Sequence, residues 1–198
     1  MKNNILKTLV TEDEIKGICK RLGKQITNDY QGKELVIIGL LKGCNPFMSD
    51  LIREIDLLLK VDYLSVSSYQ GTESTGDVRI RMDLSEPISG KHVLIAEDIV
   101  DTGTTITTIK KLLLHRGALS VKIVTLFDKP EGRLMECYPE YIGTTVPNEF
   151  VVGYGLDFNE EYRNLPYVGV LKPSAYKKWG NICKNKINHK RSVVDLIF

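Results

Sequence analysis

Three carboxylates and a run of small hydroxylated residues fall close together in VLIAEDIVDTGTT, residues 93–105. Glu97, Asp98 and Asp101 supply acceptors that can hold a sugar diol or magnesium-bound water. Thr102, Gly103, Thr104 and Thr105 follow, offering backbone N–H groups and hydroxyls where the pattern turns helical. Gly103 permits close approach, and a helix amino terminus favours an anion. Together these residues describe a pocket for a sugar that carries a phosphate. Asp101-Thr102-Gly103 also matches the run that opens an aspartic-protease loop, but that chemistry needs two carboxylates sharing a proton in an all-β fold. The motif here occurs once and runs into a helix. A capped turn with solvated acids is the alternative that spacing alone leaves open.

The elements that must position this stretch are legible on either side of it. Thr11-Glu12-Asp13-Glu14 has the form of a capping box, and Ile15, Ile18, Cys19, Leu22 and Ile26 recur at helical spacing behind it. ELVIIGL (34–40) reads as a strand covered on both faces, and Asn45-Pro46 as a cap and first turn for a helix over 46–54. A strand over 59–68 leads into SSYQGTESTGD (67–77), whose small polar residues predict an exposed, mobile hairpin flap before VRIRMDL. KHVLIAED is a further buried strand, and ITTIKKLLLH (106–115) a helix with Ile106, Ile109, Leu112 and Leu113 inward. SVKIVTLFD (120–128), FVVGYGL (150–156) and YVGVL (167–171) are the remaining strands. Strands alternating with helices predict an α/β fold with a mainly parallel sheet.

Composition bounds the function classes. The 198 residues, 42% hydrophobic and 26% charged, suffice for one domain with a real core. Lys and Arg number 27 against 25 Asp and Glu, so the net charge of +2 gives no field that would demand a nucleic-acid partner. Cys19, Cys44, Cys137 and Cys183 form no Cys-x-x-Cys pair, which signals neither a zinc site nor a disulfide framework. No run approaches membrane-spanning length and MKNNILKTLVTEDE lacks a signal-peptide core, so the expectation is a soluble cytoplasmic protein. The basic stretch KKWGNICKNKINHKRSVVDLIF divides the chain into a domain over 1–175 and a C-terminal extension over 176–198. Gly153-Tyr154-Gly155 does not complete a dinucleotide fingerprint, and there is no P-loop.

VLIAEDIVDTGTT resembles the phosphoribosyl-diphosphate signature of type I phosphoribosyltransferases. LLKGCNPF, SSYQGTESTGD, LFDKP and FVVGYGLDFNEEYRNLP, in that order over about 35–171, are similar to segments of the hypoxanthine-guanine phosphoribosyltransferase family. The resemblance implies the type I fold: a central sheet flanked by helices, a small hood and the flap. It implies transfer of a 5-phosphoribosyl group to hypoxanthine or guanine with Mg2+ as cofactor, in a homodimer or homotetramer. Lys42 and Gly43 would bind diphosphate in a loop entered through a cis peptide, and Ser68 and Tyr69 would belong to the closing flap. Glu97 and Asp98 would approach the ribose hydroxyls and the metal, Asp157 would be a further metal ligand, and Arg163 would contact diphosphate. Asp101 would serve purine N7 as base, with Thr102, Gly103, Thr104 and Thr105 cradling the 5′-phosphate. Lys129 would donate to the purine exocyclic oxygen, while Phe150 stacks on the base and Val151 reads its edge. Without the resemblance, Lys42 is a surface lysine, Lys129 a turn residue before Pro130, Phe150 and Val151 strand core, and Asp157 with Arg163 a surface ion pair. A competing expectation is an RNA-binding regulator on the same fold, which should lack the Lys129 and Phe150-Val151 purine pocket.

Overall fold

The structure, a computed structural model, describes residues 2–68 and 78–175. Tyr69, most of the polar flap segment and the basic extension from 176 onward lie outside the described residues. The expected division between residues 175 and 176 falls at that edge.

Six strands form the main sheet. They are β2 (Leu35–Leu41), β3 (Leu59–Ser68), β4 (Val78–Met82), β5 (His92–Val100), β6 (Ser120–Asp128) and β7 (Tyr141–Thr145), in the order β4-β3-β2-β5-β6-β7. All neighbours from β3 to β7 run parallel, and β4 returns antiparallel beside β3. Both faces of the sheet are covered, which explains the unbroken apolar runs. Leu35 and Ile37 of β2 pack into the core beneath helices α1 (Glu12–Asp29) and α2 (Asn45–Arg53). Val36, Ile38 and Leu40 face the other core, with Ile106, Ile109 and Leu113 of α3 (Thr104–His115).

Helix α1 begins as its sequence predicts. Thr11 Oγ1 accepts from the Glu14 N–H at 3.3 Å, and Glu14 Oε2 accepts from the Thr11 N–H at 2.7 Å, a reciprocal box that satisfies two end groups. At α2 the sequence reading needs correction: Cys44, not Asn45, occupies the cap, without a side-chain cap bond. Leu112 in α3 is only half-buried, because Ile106, Ile109 and Leu113 already fill the inward stripe.

A second, three-stranded antiparallel sheet forms a hood, in the order β1 (Ile5–Val10), β9 (Val168–Leu171), β8 (Val151–Val152). Neither β1 nor β7 is among the strands expected from the sequence. ILKTLV of β1 finds its partner more than 150 residues away, where Ile5 pairs with Leu171. FVVGYGL holds only two strand residues, since Gly153, Tyr154 and Gly155 all take positive φ and turn the chain out of extended geometry.

The connections from β2 leave in opposite directions. The chain passes from β2 to β3 on one side, while β5, β6 and β7 build outward on the other. Such a reversal opens a crevice at the carboxyl ends of the two central strands, where a loop from each can face the same ligand. Residues 42–43 leave β2 there, and residues 101–103 leave β5.

Candidate active site

A cleft of about 320 Å3 occupies this crevice, lined among others by Asp98, Asp101, Lys129, Phe150, Val151 and Asp157. An adjoining hollow of about 150 Å3 is lined by Glu97, Thr102, Gly103 and Thr105, and Ile99 and Asp101 line both. Three segments far apart in sequence, 97–106, 129 and 149–157, therefore meet at one place. Thr104 is not in the lining; its N–H donates to Thr102 Oγ1 at 3.4 Å, closing the turn that starts α3. Gly103 caps α3 at φ 80°, left-handed backbone that a residue without Cβ adopts at little cost.

Strand pairing accounts for the meeting of Asp101 and Lys129. Val100 pairs with Asp128 at the ends of β5 and β6, so the next residue on each strand lies past the sheet edge. Lys129 Nζ stands 3.2 Å from Asp101 Oδ2, and the lysine side chain is only 12% exposed against 44% for the aspartate. A cationic donor and a carboxylate acceptor thus share the floor of the cleft. Phe150 projects at its rim, 42% exposed, edge-on to Phe158 with ring centroids 5.6 Å apart, while Val151 is buried in the hood sheet.

Glu97 and Asp98 sit at the end of β5 with ionisation disfavoured. Burial pushes Glu97 well above the usual carboxylate range, and the neighbouring Asp98 charge adds to it. Burial also pushes Asp98 up to about 6, opposed by the Ile99 N–H, which its Oδ1 accepts at 2.8 Å. Carboxylates in this condition would be relieved by a divalent cation. Among the described residues no three His, Cys, Asp or Glu side chains converge into a metal cage. Two carboxylates at a cleft suit Mg2+, which keeps waters and takes substrate oxygens rather than an all-protein shell.

The Leu41–Lys42 peptide is cis, as the resemblance implies. Lys42 itself is not in the cleft lining; its Nζ stands 2.7 Å from Glu160 Oε2, and both side chains are exposed. Gly43 lies against Asp98, where a Cβ would overlap the carboxylate, and a Cβ on Gly155 would overlap the Gly43 carbonyl. Arg163 links the same region: Nη2 is 2.7 Å from Asp157 Oδ1 and 3.3 Å from Glu160 Oε1, and Nη1 donates to the Gly155 carbonyl at 2.6 Å. Asp157 and Arg163 are therefore an ion pair at the cleft, with Asp157 in its lining. Ser68 ends β3.

The sequence reading missed three contributors. Glu160 bridges Lys42 and Arg163, and the Lys42 hydrogen bond comes first among the causes that hold its carboxyl below the usual range. Asp128 and Arg133 form a nearly buried ion pair directly behind Asp101. Glu160 stands three residues after Asp157, and that spacing lets both carboxylates reach Arg163; Asp128 and Arg133 carry no local signal, because a turn brings them together.

Comparison with known proteins agrees with this geometry. Residues 7–159 match the model of the phosphoribosyl transferase domain. A hypoxanthine-guanine phosphoribosyltransferase of Staphylococcus aureus is 55% identical over 177 residues, 89% of this chain and 99% of that one. Its Lactococcus lactis counterpart is 54% identical over 175 residues, 88% and 95% of the respective chains. A crystal structure of a Staphylococcus aureus hypoxanthine phosphoribosyltransferase superposes with a TM-score of 0.86 at 55% identity, covering 89% of this chain and 96% of that one. The strand order, the cleft at the reversal point and this similarity along most of the chain lead to one conclusion: the chain belongs to the phosphoribosyltransferase family, in its hypoxanthine-guanine branch.

Proposed function

We propose that this chain transfers the 5-phosphoribosyl group of phosphoribosyl diphosphate to hypoxanthine or guanine, giving the nucleoside monophosphate and diphosphate. A bond forms between a purine nitrogen and the ribose anomeric carbon as the bond from that carbon to diphosphate breaks. The observation that carries the reading is the shared cleft in which Asp101 and Lys129 face each other beside Asp98 and Asp157, next to the hollow at Thr102–Thr105.

Each residue has a task in that reaction. Thr102, Gly103, Thr104 and Thr105 hold the 5′-phosphate at the start of α3, and Glu97 and Asp98 accept from the ribose hydroxyls. Lys129 donates to the purine 6-oxygen; adenine would bring an amino group to the same ammonium, a donor against a donor. Phe150 stacks on the ring and the Val151 backbone reads its edge. Asp101 lies near N7, where it takes up the proton or stabilises the protonated nitrogen while positive charge grows on the ribose. Lys42, Gly43 and Arg163 hold the departing diphosphate, with Ser68 and Tyr69 closing over it. Glu97, Asp98 and Asp157 would hold Mg2+, which neutralises charge on the leaving group when bound.

A spectrophotometric assay with phosphoribosyl diphosphate and Mg2+ across hypoxanthine, guanine, xanthine, adenine and uracil tests the reading. Turnover of hypoxanthine and guanine but not adenine or uracil is expected. Turnover of uracil alone, or tight RNA binding with no turnover, would overturn it. A cytoplasmic location and assembly into a homodimer or homotetramer belong to the same proposal, and light scattering of the purified chain tests the second. No helix among the described residues is long and apolar enough to cross a membrane.

A further inference from the structure

The segment that follows β6 delivers Lys129 to the cleft and then turns back behind the β5 loop. Arg133 lies there nearly buried, its side chain 14% exposed, between two acceptors. It pairs with the Asp128 carboxylate through Nη2, and Nη1 donates to the Asp101 carbonyl at 2.7 Å. The next two residues extend the grip, because the N–H groups of Leu134 and Met135 both donate to the Thr102 carbonyl, at 2.9 and 3.0 Å. Two consecutive carbonyls are thereby drawn to the same side.

The peptides that follow Asp101 and Thr102 are trans. In a planar trans peptide the N–H points opposite to the C=O, so the N–H groups of Thr102 and Gly103 face away from this brace. Both residues line the 150 Å3 hollow. Successive N–H groups held in this way make an anion-binding concavity, and donors fixed beforehand need no reorganisation when charge arrives. Gly103 has little room to drift, since a Cβ there would stand 3.1 Å from Arg133 Cδ and 3.0 Å from Cys137 Cβ. A guanidinium suits the task because its planar fork reaches a carboxylate and a carbonyl at once, where an ammonium has no fixed fork.

We infer that Arg133, anchored by Asp128, is a positioning residue that sets the Thr102 and Gly103 N–H groups to receive the phosphate monoester of the phosphoribosyl substrate. The inference rests on the function proposed above. The parent enzyme is assayed first: failure to turn over any of the bases would defeat that function, independently of Arg133.

With the parent active, Arg133→Ala is compared with Arg133→Lys and with the double variant Asp128→Leu/Arg133→Met, which leaves no unpaired charge inside. Calorimetry gives the affinities for inosine monophosphate and for inosine, which lacks the phosphate. Loss of a charge-assisted bond and of donor alignment should weaken the nucleotide about tenfold in the alanine and double variants, with inosine within about twofold. The KM for phosphoribosyl diphosphate should rise in parallel and that for hypoxanthine should not. Lysine should recover part of the loss, and millimolar guanidinium should restore binding to Arg133→Ala but not to the double variant. Unchanged preference for nucleotide over nucleoside would overturn the inference. So would equal losses for both ligands without guanidinium rescue, or failure of both the alanine and the double variant to fold, which would make the pair a structural element only.

Discussion

Gly132→Ala should separate the position of Asp101 from the stability of the fold. Gly132 ends the 3-10 turn Pro130–Gly132, and its φ lies outside the left-handed region, so alanine fits the backbone. Replacing glycine at a compatible site usually adds about 0.4–1 kcal/mol by restricting the unfolded chain. The added methyl, however, would overlap Asp101 Oδ1 and come within 3.1 Å of its Cγ. To regain an ordinary contact the carboxylate must retreat by roughly 1.5 Å. It can do so by rotating, because its side chain is 44% exposed, and the 3.2 Å contact to Lys129 is then lost. The turn resists moving in its place, since the Gly132 N–H is tied to the Lys129 carbonyl at 3.1 Å. Misplacing a reacting group by about 1 Å costs on the order of a hundredfold in rate, or about 2.7 kcal/mol in the barrier. The expected result is therefore kcat with hypoxanthine down about a hundredfold, with a thermal midpoint at or slightly above that of the parent. A kcat within about threefold of the parent would refute the reasoning, because Asp101 would then tolerate a displacement that the proposed proton transfer does not allow.

Asp101→Asn keeps the shape and removes the proton acceptor, so kcat should fall about 10²–10⁴-fold while nucleotide affinity measured by calorimetry changes little; unchanged turnover would remove Asp101 from the acid-base role. Burial pushes the Cys19 thiol up to about 11 and raises Cys44 further, with Glu97 and Asp98 adding to the latter. Brief alkylation of the native protein at pH 8 should therefore leave both unlabelled by peptide mass mapping, and denaturant should expose them. Arg116 beside Asp83 holds that carboxyl below its usual range, Nη1 to Oδ1 at 2.6 Å. A depressed folded value means that the pair's contribution is complete above the unfolded value of about 3.9 and is lost as the pH falls through the folded one. Because Asp83 is half exposed, Asp83→Asn should cost at most about 0.5 kcal/mol at pH 7, and the gap in thermal midpoint should close toward pH 3.

Local patterns in the sequence were enough to place most elements. The Thr11–Glu14 box, the apolar runs of β2, β5 and β6 and the stripe of α3 each draw on contacts between near neighbours, whose spacing is set by helix or strand geometry. Within the hood, β1 escaped that reading because its pattern is too short to stand out and its pairing partner, β9, lies at the opposite end of the described chain. FVVGYGL misled for the converse reason: its composition is that of a strand, but Tyr154 and its flanking glycines all take positive φ.

The sequence by itself determined which residues can do chemistry, because carboxylates, hydroxyls and a lysine keep their donor and acceptor character wherever they are placed. Tertiary structure decided which of them work together. Parallel pairing of β5 with β6 carries Asp101 and Lys129 past the sheet edge side by side, the reversal at β2 opens the space they face, and packing raises Glu97 and Asp98 out of their ordinary ionisation range. The Asp128–Arg133 pair behind the loop after β5 belongs wholly to that second level. Its burial and its grip on the Asp101 carbonyl exist only once the turn after β6 is folded against the loop after β5, since the energy of a charge depends on its surroundings and those are assembled from distant parts of the chain.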